Sequence, residues 1–159
     1  MNNPPRRLAD LPFPAYRFVP GIHPHPIKDP QGHSFARQEP ALLDDNGPWV
    51  ESSDWLFGLD LFDFRFYWEA HEVWEARWKM LDGDDKAFLQ GMILSAACLL
   101  QRHMGRERIA LKSWKRAKEL LHPALMSSQW RGIQLAQFVQ HMDVDLPRGG
   151  WPVIENCPK

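Results

Sequence analysis

The sequence predicts an all-α fold, a small antiparallel bundle of about four helices. Three observations carry this expectation. Apolar residues recur at helical spacing through the middle of the chain, and no segment alternates at period two. The turns between the helical stretches are short, which favours antiparallel neighbours. Ten of the fourteen prolines lie before residue 50. Proline removes a backbone donor and restricts its predecessor to extended conformations, so irregular backbone is concentrated at the N-terminal end.

The elements follow in order. Residues 1–53 read as an extended Pro-rich arm. Phe13, Tyr16, Phe18, Ile22, Phe35 and Trp49 would be wasted in solvent, so the arm is predicted to wrap over the helical body. Residues 54–144 form the bundle domain, and residues 145–159, with Pro147, Gly149, Gly150, Pro152 and Pro158, a short C-terminal arm. Within the bundle, Asp60 or Asp63 is expected to cap a first helix reaching about residue 81. Asp82-Gly83-Asp84-Asp85 is a turn whose acidic residues suit the next helix start. That helix covers about residues 85–104 and stops near Gly105. A third covers about residues 107–121 and ends before Pro123, and a weaker fourth covers about residues 128–142. The second helix is apolar nearly all round, from Phe88 and Leu89 to Leu99 and Leu100, so it belongs at the centre of the bundle.

The bulk properties exclude several classes. The chain has 159 residues, a formal net charge of −1, eight Trp and nine Phe. That charge argues against a global affinity for nucleic acid. Locally, Arg102, Arg106, Arg108, Lys112, Lys115, Arg116 and Lys118 crowd the region of the third helix, as a solvated face or a docking patch for an acidic partner. Cys98 lies in an apolar run and Cys157 in the tail, which is no disulfide framework. Residues 1–14 hold Pro and Arg rather than the apolar core of a signal peptide. The run 88–100 is interrupted by Gln90 and Ser95 and falls short of the roughly 20 residues that span a bilayer. A reduced, cytoplasmic protein that does not enter a membrane is the expectation.

The functional signal is concentrated in Tyr67-Trp68-Glu69-Ala70-His71-Glu72-Val73-Trp74-Glu75-Ala76-Arg77-Trp78. Four groups able to bind metals or move protons stand among large aromatics, and such groups are costly to bury without partners. At 100° per residue, Phe64, Tyr67, Trp68, Trp74, Glu75 and Trp78 fall within about 60° of His71. His71 and Glu75 are thus predicted to form an i, i+4 pair inside an aromatic face. That pair reads either as a structural buried pin or as an acid–base or metal site. Glu72 stands on the shoulder, and Glu69 on a polar sector beside Arg65, with which it can bridge. The zinc-protease motif H-E-x-x-H is not met, because Glu75 replaces its second histidine. The paired Glu-x-x-His of di-iron bundles is absent too. In the arm, His23-Pro24-His25-Pro26 and Gly32-His33-Ser34 offer further ligands if the arm folds over the helix.

These motifs resemble a prokaryotic helical family catalogued as a domain of unknown function (number 309). Its signature, aromatic-x-E-x-H-E-x-x-E-x-x-W, stands here as Trp68 to Trp78, and its F-L-Q-G-type helix as Phe88-Leu89-Gln90-Gly91-Met92-Ile93-Leu94. Leu94 departs from the second glutamine of that helix. The resemblance implies an all-α bundle and points to Glu69, His71, Glu72, Glu75, Trp78 and Gln90 as the shared set. It brings no activity with it.

Two functional readings follow. In the first, the protein hydrolyses a small substrate, with or without a divalent metal. His71, Glu72 and Glu75 are then the catalytic groups, and Glu69, Trp68, Trp74, Trp78 and Gln90 contact substrate. The metal ligands come from His71, Glu72, Glu75, His25 and His33. In the second, the protein is a non-catalytic binding or scaffold protein. The His71–Glu75 pair then locks helices, and the basic third helix meets an acidic partner. Extended arms and surplus aromatics add the expectation of a homodimer.

Overall fold

A computed structural model of the chain describes residues 4–37, 47–126 and 132–156. Among these residues there are five α-helices and no β-strand. They are α1 (Ser53–Asp63), α2 (Tyr67–Trp78), α3 (Gly83–His103), α4 (Glu107–Leu125) and α5 (Leu135–Arg148). The all-α expectation holds, with one helix more than predicted. Cys157 and the start of the expected fourth helix lie outside the described residues.

The extra helix arises because the predicted first helix breaks at Phe64-Arg65-Phe66. Arg65 has φ 69°, in the left-handed region. Its N–H bonds to the Phe62 carbonyl at 2.9 Å, and the Phe66 N–H reaches back to Leu61 O at 2.8 Å. This is a Schellman turn, in which glycine is the usual left-handed residue. Placing a Cβ there costs roughly 1–2 kcal/mol. No glycine or proline marks the break, which is why periodicity alone runs through it. The expected caps also move. Ser52 caps α1, accepting from Trp55 N–H, whereas Asp60 and Asp63 lie in its C-terminal half. At the other end, α4 continues past Pro123 to Leu125, since proline near the last turn removes one bond while Leu121 and Ala124 stay buried. α5 runs through Pro147 to Arg148 for the same reason, with Leu146 buried.

α3 is central, packing against α2 on one side and α4 on the other. Phe88, Leu89, Met92, Ala96, Cys98 and Leu99 are buried along it. Ser95 is buried as well and satisfies its hydroxyl on Gly91 O at 2.8 Å. Trp55, Leu59 and Phe62 of α1, Tyr67, Ala70 and Trp74 of α2, and Phe138 and Met142 of α5 complete the core. α1 approaches α2 closely at Gly58, where an added Cβ would lie 2.0 Å from Trp74 Nε1. Their far ends are tied by a buried bidentate pair, Arg77 Nε to Asp54 Oδ2 at 2.7 Å and Arg77 Nη2 to Asp54 Oδ1 at 2.8 Å.

Both terminal segments are anchored on α1 through buried carboxylates. Asp60 accepts the backbone N–H groups of Arg7 and Leu8 at 2.8 and 2.9 Å. Asp63 accepts Arg7 Nη1 at 2.8 Å and the N–H of Ile154 at 2.7 Å. Arg7 also donates to Ile154 O at 2.6 Å and to Asn156 Oδ1 at 2.8 Å, so one guanidinium knits both ends to the bundle. Phe13 stacks on Phe66 with ring centroids 4.9 Å apart, and Phe18 meets Trp68 edge-on at 5.2 Å. These contacts lay residues 4–37 across the exposed side of α1 and α2.

Candidate functional site

α2 carries two groups of ionisable side chains that meet at Glu72. The first is His71, Glu72 and Glu75. One ligand atom from each lies within 4.8 Å of the others, the one such group of three or more among the described residues. His71 Nδ1 stands 3.4 Å from Glu72 Oε1 and 3.9 Å from Glu75 Oε2, and makes no hydrogen bond although it is buried from solvent. The side chains themselves are 32, 26 and 39 % exposed. The pair predicted to sit inside an aromatic face is therefore open to water. The face that α2 buries is instead centred on Tyr67, Ala70, Trp74 and Arg77.

The second group lies under the N-terminal segment. Glu69, expected on the surface beside Arg65, is buried, because the break at Arg65 takes that arginine off the helix and the arm covers the carboxylate. Glu69 Oε1 accepts the N–H of Phe18 at 2.8 Å and faces His33 Nε2 at 3.0 Å. His33 Nδ1 lies 2.8 Å from Ser34 Oγ. A hydroxyl, an imidazole and a carboxylate thus form one hydrogen-bonded chain. Glu69 Oε2 is buried with no partner. Burial raises the carboxyl's pKa, opposed by the Phe18 N–H and by His33. Gly32 makes the preceding turn possible, since a Cβ there would lie 2.3 Å from the carbonyl oxygens of His25 and Pro26.

These groups open onto a cleft of about 550 Å³ between the arm and α2. Phe13, Ile27, Phe57, Leu61, Trp68 and Val73 supply apolar walls, and His33, Ser34, Arg37, Glu69 and Glu72 the polar lining. The cleft has the composition of a small-molecule site, mostly apolar with a few convergent polar groups. Glu72 belongs both to this cleft and to the cluster with His71 and Glu75.

The remaining predicted residues go elsewhere. Trp68 lines the cleft, but Trp74 is a core residue whose Nε1 donates to Trp55 O at 3.3 Å. Trp78 packs at the core's edge beneath the Lys86 ammonium, 4.5 Å from its ring centroid. Gln90 is half-buried on α3 and lines neither the cleft nor the cluster. His25 turns its Nδ1 to the N–H groups of Ile27 and Lys28 at 3.3 and 3.4 Å, shaping the loop. Neither His25 nor His33 joins His71, Glu72 and Glu75. The residues that sequence reasoning did not single out are Ser34 and Arg37. Ser34 was visible as the neighbour of His33, but its hydrogen bond depends on a loop conformation that spacing does not encode.

No helix among the described residues is long and apolar enough to cross a membrane. Comparison with curated proteins and with solved structures found no match. The segment that carries both α2 groups is the one with a recognisable relationship: residues 55–113 match a protein-family model described as Domain of unknown function (DUF309).

Proposed function

We propose that the protein is a hydrolase of small, largely apolar substrates that works with a divalent metal ion. His71 Nδ1, Glu72 and Glu75 would hold the ion, and the adjoining cleft would take the substrate. The observation that carries this reading is the convergence of three ligand atoms within 4.8 Å around an imidazole nitrogen that has no hydrogen bond. Imidazole with carboxylates suits zinc or a similar divalent ion, and three protein ligands leave a position for water. A divalent ion held there would supply an activated water and Lewis-acid polarisation for hydrolysis. Glu69 is suited to proton transfer, because its burial raises its pKa and its Oε2 has no partner. His33, itself held by Ser34, keeps it in place.

The competing reading, in which His71 and Glu75 form a structural pin, loses support from their exposure, because a half-exposed pair contributes little to stability. The scaffold reading keeps one supporting observation. Arg108, Lys112 and Lys115 are exposed along α4, on the face opposite Ala110, Trp114 and Ala117. The test is a screen of small esters, amides and phosphoesters against chelator-stripped protein, with and without zinc or manganese. Metal-dependent turnover that disappears in Glu72→Gln and in Glu69→Gln is expected. Turnover that is absent under all conditions, with salt-sensitive binding of a polyanion to α4, would replace the hydrolase by the scaffold.

A further inference from the structure

A second recess, of about 960 Å³, lies where the arm, the α1–α2 junction, the end of α3 and the C-terminal segment meet. Its walls include Arg17, His23, Arg65, Phe66, His103 and Trp151. Positive charge dominates it. The guanidinium groups of Arg17 and Arg65 have no hydrogen bond or carboxylate partner among the described residues, and are held only by aromatic faces, 5.8 Å from the Phe66 ring and 5.2 Å from the Trp151 ring. Arg102 also stacks on Trp151, at 4.7 Å, while donating to Gly150 O and standing 3.7 Å from Glu107. The one carboxylate lining the recess, Asp63, is already engaged by Arg7 and the Ile154 N–H.

Polar atoms in and behind its wall lack partners. Tyr67 is 1 % exposed, and its hydroxyl has no hydrogen bond. The charges of Arg65, Arg102 and Arg17 all act on that hydroxyl, so it lies in their common field. His103, stacked 5.3 Å from Tyr67 and 4.4 Å from Trp151, has a buried Nδ1 without a partner. Burial, reinforced by the same three arginines, pushes its pKa down to about 4, so it is neutral at pH 7. Buried polar groups left unpaired are rare and call for an explanation. The backbone adds another. Arg65 occupies a left-handed position that glycine would fill without strain. A side chain is kept there at a cost, and it is one that points a guanidinium into this recess. Phe66, the residue before α2, also offers no side-chain cap to the helix's first N–H groups. The carbonyls ending α1 and α3 are closed off by Schellman turns.

We propose that this recess binds the phosphate group of a small molecule. Two unpaired guanidinium forks suit the paired oxygens of a phosphate, and a dianion balances their charge better than a carboxylate does. His103, which lines the recess, supplies a further donor that a tetrahedral oxyanion accepts. The volume leaves room for the organic part of a phosphate monoester.

The test is calorimetric titration of the intact chain, in chloride buffer, with inorganic phosphate, glycerol phosphate and, as a control, acetate. Saturable one-site binding of both phosphates and none of acetate is expected. Arg17→Gln and Arg65→Gln should each weaken it at least about tenfold. Arg65→Gly separates ligand from fold, since it relieves the backbone and should keep or raise Tm while losing the same affinity. Absence of saturable binding by either phosphate would overturn the proposal. So would acetate binding as tightly as phosphate, or wild-type affinity in Arg65→Gly.

Discussion

A half-exposed polar or charged side-chain pair on a helix contributes about 0.5 kcal/mol or less to stability. His71 and Glu75 are such a pair, 3.9 Å apart and open to water. His71→Ala and Glu75→Gln are therefore expected to shift urea unfolding by no more than about 0.5 kcal/mol. Glu69 behaves differently, because it accepts a backbone N–H in the interior and faces His33. Glu69→Ala leaves those groups unpaired and should cost about 1–3 kcal/mol in the same experiment. It should also expose the segment around Phe18 to proteolysis. A cost no greater than that of His71→Ala would mean that Glu69 does not hold the arm. The residues of the site were legible in the sequence as a set, because carboxylates and imidazoles are conspicuous among aromatics. Their burial was not, because helix geometry assigned Glu69 to the surface without knowing that the arm would cover it.

The helices owe their arrangement to a few close approaches and breaks. Gly58 lets α1 lie against Trp74 of α2, where a Cβ would be 2.0 Å from the indole nitrogen. Gly58→Ala is expected to destabilise by about 1–3 kcal/mol through overpacking, measured as a lower urea midpoint at unchanged m-value. A neutral result would mean that the two helices separate freely. α3 was readable as the central helix because its apolar residues run all round, and they are buried as that pattern requires. The break between α1 and α2 was hidden, since Asp63-Phe64-Arg65-Phe66 contains neither glycine nor proline and the turn is formed by an arginine. The ends of α4 and α5 were placed too early, because packing of Ala124 and Leu146 outweighs one lost hydrogen bond at Pro123 and at Pro147.

At the scale of the molecule, buried charge ties the parts together. Arg7 bridges α1 to the C-terminal segment, and Arg77 bridges α2 to the start of α1. Such long-range pairs leave no local signature in a sequence. Removing one partner of a buried pair is severe, so Arg77→Ala should cost about 3–5 kcal/mol. Acid acts through His103. The unfolded chain protonates it near the ordinary 6.5 and the folded chain near about 4. Between those values the unfolded state binds more protons, so stability falls as pH drops from about 6.5 to about 4. Asp63, pushed up from 3.8 to about 6 by burial, opposes this over nearly the same range, so the comparison must be with His103→Gln, in which the histidine's share of the loss disappears. Equal pH profiles for the two chains would remove His103 from the account. The claim on which the functional reading depends is the metal held by α2. It is tested most directly by calorimetric titration of zinc into the chelator-stripped intact chain. The account predicts one saturable site that is lost in His71→Ala and in Glu75→Gln while their unfolding stays close to wild type. No saturable binding, or binding that both variants retain, would contradict it.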